Sequence, residues 1–137
     1  MLTQKSVSHE LRAEDVRIGH AKLLADGKFP KLDGYYHCYA SASDIRLLRA
    51  ETDQEAWLST PADCKPFLDD AGLFGGFRFL TNDDLYPTHV YFLGEEDAGY
   101  FFDTSSGAFG MRHNSYIPEA RDPRWAEYYQ LIDNGRL

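Results

Sequence analysis

The sequence predicts a single α+β domain over residues 1–137, in which an antiparallel β-meander of about four to five strands packs with N-terminal, central and C-terminal helices. Three observations predict this class. Capped helical patterns stand at both ends of the chain and in its middle. Short aromatic-rich runs follow one another between residues 77 and 111. The connections between these runs are too short for helical crossovers, which favours antiparallel pairing.

The first helix is predicted over residues 9–26. Ser8 is a suitable N-cap, acidic residues occupy the first turns, and Gly27 follows as a stop signal. A loop is expected over residues 29–34, because a proline and an Asp-Gly pair both favour turns. Residues 35–40 then have the aromatic content of a β-strand.

The central segment carries several competing signals. Residues 43–49 fit either a helix or a strand, whereas residues 52–55 form a capping-box pattern that predicts a short helix carrying residues 56–58. A second helix start, with proline at the first helical position, stands at residues 60–63. That helix is expected to run to residues 70–71, to stop at Gly72, and to bury Cys64, Phe67 and Leu68.

The predicted meander comprises residues 77–80, 89–93, 100–102 and 108–111, with turn-rich segments between them. Pro87 is expected at a sheet edge or a strand entry, because it lacks the N–H that a central strand needs. A last helix, capped by Asp122 and ended by residues 134–135, completes the chain.

Alternation along the strands separates two faces of the sheet. Phe77, Phe79, Val90 and Phe92 point to one side, which is the expected core. The opposite side carries Arg78, His89 and Tyr91. That mixture is common at interfaces, but a further helix covering the face would explain it equally well.

The negative charge is concentrated between residues 69 and 103. Eight acids against one base, Arg78, give 8 minus 1, or 7, of the chain's net charge of −8. An acidic, aromatic-studded surface suits a basic protein partner and disfavours nucleic acid and anionic membranes. Solvated turns would explain many of the acids as well. The residues predicted to contact a partner are Asp83, Asp84, Tyr86, Tyr91, Glu95, Glu96 and Asp97.

No catalytic, cofactor or metal motif stands out, so the chain is predicted to be non-enzymatic. Cys38, Cys64, His37 and His113 lack the spacing of a zinc site. One alternative is a small enzyme that uses His89, His113 and Asp103, of which Asp103 and His113 are the best candidates for an acid/base pair. Another alternative is a structural module that self-associates through its outer sheet face.

The N-terminus lacks the apolar segment of a secretory signal, and no window approaches the roughly 20 apolar residues that span a bilayer. The expected location is therefore the cytoplasm, with both cysteines reduced.

The segment 94–107 has a glycine-bearing turn, an aromatic strand ending in Asp103, and a second turn ending in glycine. This pattern resembles bacterial immunity proteins of the SUKH superfamily, and a proline-to-glycine pattern over residues 61–76 resembles that family's helix and turn before the sheet. The likeness covers residues about 61–110, and the long N-terminal part and the absence of a Leu-Pro helix start depart from the family. The resemblance implies a small intracellular α+β protein that neutralises a toxin by binding, and it transfers no binding residues to this chain.

Overall fold

The computed structural model describes residues 10–62, 69–81 and 88–112, and it confirms an α+β architecture. In this part of the chain, two α-helices, α1 (Ala13–Ala25) and α2 (Ala42–Glu51), accompany one mixed sheet of six strands. The strands are β1 (Tyr36–Ala40), β2 (Asp70–Phe74), β3 (Phe77–Thr81), β4 (His89–Leu93), β5 (Gly99–Asp103) and β6 (Ala108–Arg112). No helix within these ranges is long and apolar enough to cross a membrane.

The predicted strands are present, but they do not form a simple meander. The order across the sheet is β2-β3-β1-β4-β5-β6, so β1 lies between β3 and β4 and runs parallel to β3. Of the four strands predicted for the meander, β4, β5 and β6 pair consecutively and antiparallel as expected, whereas β3 does not pair with β4. The prediction failed because the short connection from β3 to β4 need not join neighbours: skipping one strand requires a span of only about 9.5 Å.

The segment around residue 70 is a strand, whereas the sequence predicted the end of a helix there. Asp70–Phe74 pairs antiparallel with β3, and its register shifts between Asp70 and Leu73. A start signal shows where a helix can begin but not how far it extends, and here the pairing with β3 takes precedence. Residues 63–68, with Cys64, Phe67 and Leu68, lie outside the described residues, as do Pro87 and the predicted helix at residues 122–134.

Helix α1 begins four residues later than predicted, and its first N–H groups are satisfied partly by its own first turn and partly by α2. The Ala13 N–H donates to Glu51 Oε1 at the end of α2 (2.7 Å), and the Arg12 N–H donates to Asp15 Oδ2 (3.0 Å). The predicted cap, Ser8, lies outside the described residues. A contact from a distant helix therefore helps to define the start of α1.

The ambiguous segment 43–49 is helical. Ser41 caps α2 by accepting the Asp44 N–H on its Oγ (3.0 Å). The predicted capping box over residues 52–55 is wrong in detail, because Thr52 ends α2 and donates its hydroxyl to the Leu48 carbonyl (2.8 Å). Asp53 instead caps a 3-10 turn over Gln54–Ala56.

Both faces of the sheet are buried at its centre. The helix face carries the predicted core, in which Phe77, Phe79, Val90 and Phe92 are fully buried, and Cys38 joins them as a small core residue. On the opposite face, where the sequence left two alternatives, Arg78 and Tyr91 have no accessible surface, whereas His89 is half-buried. An open interface at Arg78 and Tyr91 is therefore excluded.

Candidate functional site

The seven residues predicted to contact a partner differ in whether the structure describes them and in whether they are exposed. Asp83, Asp84 and Tyr86 lie outside the described residues. Glu95 and Glu96 are exposed, as predicted for a partner-facing turn. Tyr91 and Asp97 are buried, with 0% and 2% of their surface accessible, so the expectation that they offer contact area or free charge is wrong.

Other acids of the 69–103 stretch are engaged inside the protein. Asp70 accepts the Gly72 N–H (2.9 Å) and lies 3.4 Å from the Arg78 Nε. Asp103 accepts hydrogen bonds from the hydroxyl (2.7 Å) and the backbone N–H (2.9 Å) of Ser105, and these bonds lower its pKa. Part of the predicted acidic surface is therefore committed to hydrogen bonds and ion pairs within the chain.

A different arrangement of exposed groups replaces the predicted one. Phe29 leaves 67% of its surface accessible, and its carbonyl accepts the Glu95 N–H at 2.8 Å. An uncovered aromatic ring therefore lies on the loop that is bonded directly to the turn with the exposed carboxylates. We call the exposed residues Phe29, Pro30, Glu95 and Glu96 the tip.

A buried ion pair lies next to the tip and joins the two loops that carry it. The Lys31 ammonium contacts the Asp97 carboxylate, and the two side chains are 1% and 2% accessible. Gly94 allows the close approach of the two loops, because a Cβ at this position would lie 2.5 Å from the Phe29 carbonyl oxygen. Together these contacts join the loop before β1 to the turn between β4 and β5.

The turn at the tip has an unusual backbone. Glu96 (φ 62°, ψ 21°) and Asp97 (φ 57°) are consecutive non-glycine residues in the left-handed region. This conformation costs roughly 1–2 kcal/mol per residue, and such positions concentrate at functional sites. Asp97 is held there by its ion pair, whereas the exposed Glu96 side chain is projected outward.

A second group of charges lies at the sheet face opposite the helices, where it includes Arg78. Asp33 Oδ2 lies 2.7 Å from both the His37 Nε2 and an Arg78 nitrogen, and His37 and Arg78 are neighbours across β1 and β3. Burial lowers the pKa of His37 to about 4. Burial works to raise the pKa of Asp33, but the hydrogen bond and charge of His37, the Tyr35 N–H and the charge of Arg78 outweigh it and lower that pKa.

The residues considered for an enzyme do not converge as expected. His89 and Asp103 are direct cross-strand partners, but Asp103 caps its own turn, and His113 lies outside the described residues. Burial raises the pKa of the Cys38 thiol, which disfavours the reactive thiolate. Within the described ranges, no three or more metal-ligating side chains form a cluster.

No protein-family model, curated protein or solved structure matches this chain. The resemblance to immunity proteins of the SUKH superfamily therefore stays a prediction. Sequence reasoning identified the turn with Glu95 and Glu96 but missed Phe29. An aromatic residue before proline in a predicted loop was the available signal, because such a ring has no strand or helix to bury it.

Proposed function

We propose that this protein is a non-enzymatic binding protein of the immunity or antitoxin type, which uses the tip to occlude a toxin or another basic protein partner. The observation that carries the proposal is the exposed Phe29 ring bonded, through its own backbone, to the turn that exposes Glu95 and Glu96. Interfaces of this kind combine a central aromatic anchor with a charged rim.

The ring and the carboxylates have different roles in the proposed complex. The accessible two-thirds of Phe29 amounts to roughly 130 Å², and burying it in a partner contributes about 3 kcal/mol. The exposed carboxylates mainly increase the association rate, because long-range attraction steers the encounter. The neighbouring base Lys28 reduces the local negative charge and opposes this steering.

The contacts that hold the tip in place should allow it to bind with little loss of conformational entropy. The backbone bond between Glu95 and Phe29 and the buried pair of Lys31 with Asp97 hold both loops before a partner arrives. A loop that is already ordered loses little conformational entropy on association, so more of the contact energy is retained as affinity.

The test is affinity capture from the native host with the wild-type chain and with a Glu95→Lys/Glu96→Lys variant as baits. We expect a basic protein to be retained by the wild type and lost by the variant. Association of the captured protein should slow with the variant, and it should slow for the wild type between low and physiological salt as the Debye length shortens to about 8 Å. A Lys28→Glu variant should associate faster than the wild type.

Matched controls separate the tip from the rest of the surface. Glu55→Lys changes an exposed acid in the other 3-10 turn, and Leu24→Ala truncates an exposed apolar side chain that is 57% accessible. Both controls should bind normally, whereas Phe29→Ala should increase the dissociation rate. Equal loss of binding in a control and in its tip counterpart would overturn the proposal.

Self-association is a second candidate, favoured by Met111, which is 52% accessible on the last strand of the described sheet. It predicts a concentration-dependent dimer in light scattering that Met111→Lys abolishes. A monomer throughout the micromolar range would exclude it.

A further inference from the structure

A cleft of about 260 Å³ opens at the edge of the sheet beside β2, away from the tip. Leu58 forms a single antiparallel bridge with Leu73, through backbone bonds of 2.9 and 2.7 Å. Beyond this bridge the register of β2 shifts, and the chain at Ser59 and Thr60 lines the cleft opposite Ala71 and Gly72.

A cation lines the cleft without a carboxylate partner among the described residues. Arg49 lies over the Trp57 ring, 4.2 Å from its centroid, and donates to the Ala71 carbonyl (2.5 Å) and to Gln54 Oε1 (3.3 Å). Both acceptors are neutral, and a guanidinium has five N–H donors. The group is therefore fixed in orientation and retains donor capacity for an anion.

A buried hydroxyl accompanies this cation. Thr60 is only 4% accessible, and its Oγ1 has no hydrogen-bond partner among the residues that the structure describes. Buried polar groups in proteins are normally satisfied, so an unpaired hydroxyl in the wall of a cleft indicates a missing partner. Asp70 also lines the cleft: its Oδ1 accepts the Gly72 N–H, and its Oδ2 lies 3.4 Å from the Arg78 Nε, in an ion pair without a hydrogen bond.

The backbone at Gly72 leaves room for the Arg49 guanidinium in the cleft wall. Gly72 has φ +107°, and a Cβ there would lie 3.0 Å from the Leu58 carbonyl oxygen and 3.2 Å from an Arg49 nitrogen. A side chain at this position would therefore crowd the Arg49 guanidinium and the Leu58 carbonyl.

We propose that this cleft binds the carboxylate group of a small organic acid, with Arg49 and Thr60 as its donors. A planar carboxylate matches the planar guanidinium, and a hydroxyl donor completes its coordination. A volume of about 260 Å³ lies just below the usual range of ligand pockets, which fits a small metabolite. The nearby Asp70 carboxylate disfavours a doubly charged phosphate. This proposal does not depend on the function proposed for the tip.

The experiment is a titration of the full chain, followed through the indole N–H resonance of Trp57, which donates to Thr52 Oγ1 (2.8 Å) beneath Arg49. The probes are sodium acetate and sodium benzoate, with acetamide and sodium chloride as neutral and ionic-strength controls. We expect saturable shifts with the two carboxylates only. Inorganic phosphate should bind more weakly than acetate.

Variants identify the donors. Thr60→Val removes a hydroxyl that makes no hydrogen bond to the described part of the chain, so it should fold, and it should weaken benzoate binding by about threefold or more. Thr60→Ser keeps the hydroxyl and should bind within about twofold of the wild type. Arg49→Gln should weaken binding by about tenfold or more. Shifts that do not saturate, equal shifts with acetamide, tighter binding of phosphate, or unchanged affinity in Thr60→Val would overturn the assignment.

Discussion

The buried pair of Lys31 and Asp97 offers the sharpest test of how the tip is held. Replacing Lys31 by Met keeps much of the side-chain volume but leaves the Asp97 carboxylate, 2% accessible, without its cation. Two unit charges about 3 Å apart at an effective dielectric constant of 20 attract each other by about 5.5 kcal/mol. Removing one partner of such a buried pair typically costs about 3–5 kcal/mol, because the remaining charge stays desolvated.

The assay is urea unfolding of three variants against the wild type. Lys31→Met should lower the free energy of unfolding by about 3–5 kcal/mol, a large part of the 5–15 kcal/mol typical of a domain. Lys31→Met/Asp97→Asn should be more stable than Lys31→Met alone, because a neutral amide replaces the orphaned charge and Asn tolerates the left-handed backbone. Arg17→Met, in the exposed pair with Glu14, is the control and should leave the midpoint nearly unchanged.

The test depends on how the variants rank in free energy of unfolding. If the double variant is less stable than Lys31→Met, or if Lys31→Met costs less than about 1 kcal/mol, the pair does not support the tip as argued.

Three further predictions concern the remaining backbone and charge features. The pKa of His37 is about 4 in the folded protein and 6.5 in the unfolded chain, so only the unfolded state gains this proton between those values. Stability should therefore fall by about 3 kcal/mol as the pH drops through that window, and His37→Gln should flatten the slope in pH-dependent urea unfolding. Glu96→Gly should raise the melting temperature, because glycine relieves roughly 1 kcal/mol of strain at φ 62°. Gly72→Ala should destabilise by about 1–3 kcal/mol in thermal unfolding, because its Cβ meets the Leu58 carbonyl and Arg49 at a positive φ.

Each of these predictions has a contrary outcome. If the pH dependence of stability is unchanged in His37→Gln, another group must titrate in that window. A lower melting temperature for Glu96→Gly would contradict the argument that Glu96 is strained. An unchanged melting temperature for Gly72→Ala would show that the backbone around Gly72 adjusts to a Cβ without cost.

Local patterns predicted much of the fold. Alternating aromatic and apolar residues located β3 to β6 and assigned Phe77, Phe79, Val90 and Phe92 to the core. These predictions succeeded because strand periodicity depends only on a residue's neighbours along the chain. The segment 43–49 was undecided for the same reason: its apolar residues fit both periods, and the structure shows a helix capped by Ser41.

The candidate site was predicted only in part. The exposure of Glu95 and Glu96 follows from a polar turn between two apolar strands. Asp97, the next residue, is buried because Lys31, 66 positions earlier, contacts it across the fold. Sequence charge counts treat these three acids alike, since the partner that distinguishes them lies far away along the chain.

The amino-acid sequence by itself determined the α+β class, most strand positions, the buried Phe/Val face and the exposed acidic turn at Glu95 and Glu96. Only the tertiary structure decided that β1 inserts beside β3, that Tyr91 and Asp97 are buried, and that Phe29 lies beside the acidic turn. The physical reason is range: turn and strand preferences act over a few residues, whereas burial and ion pairing depend on segments that meet only when the chain folds.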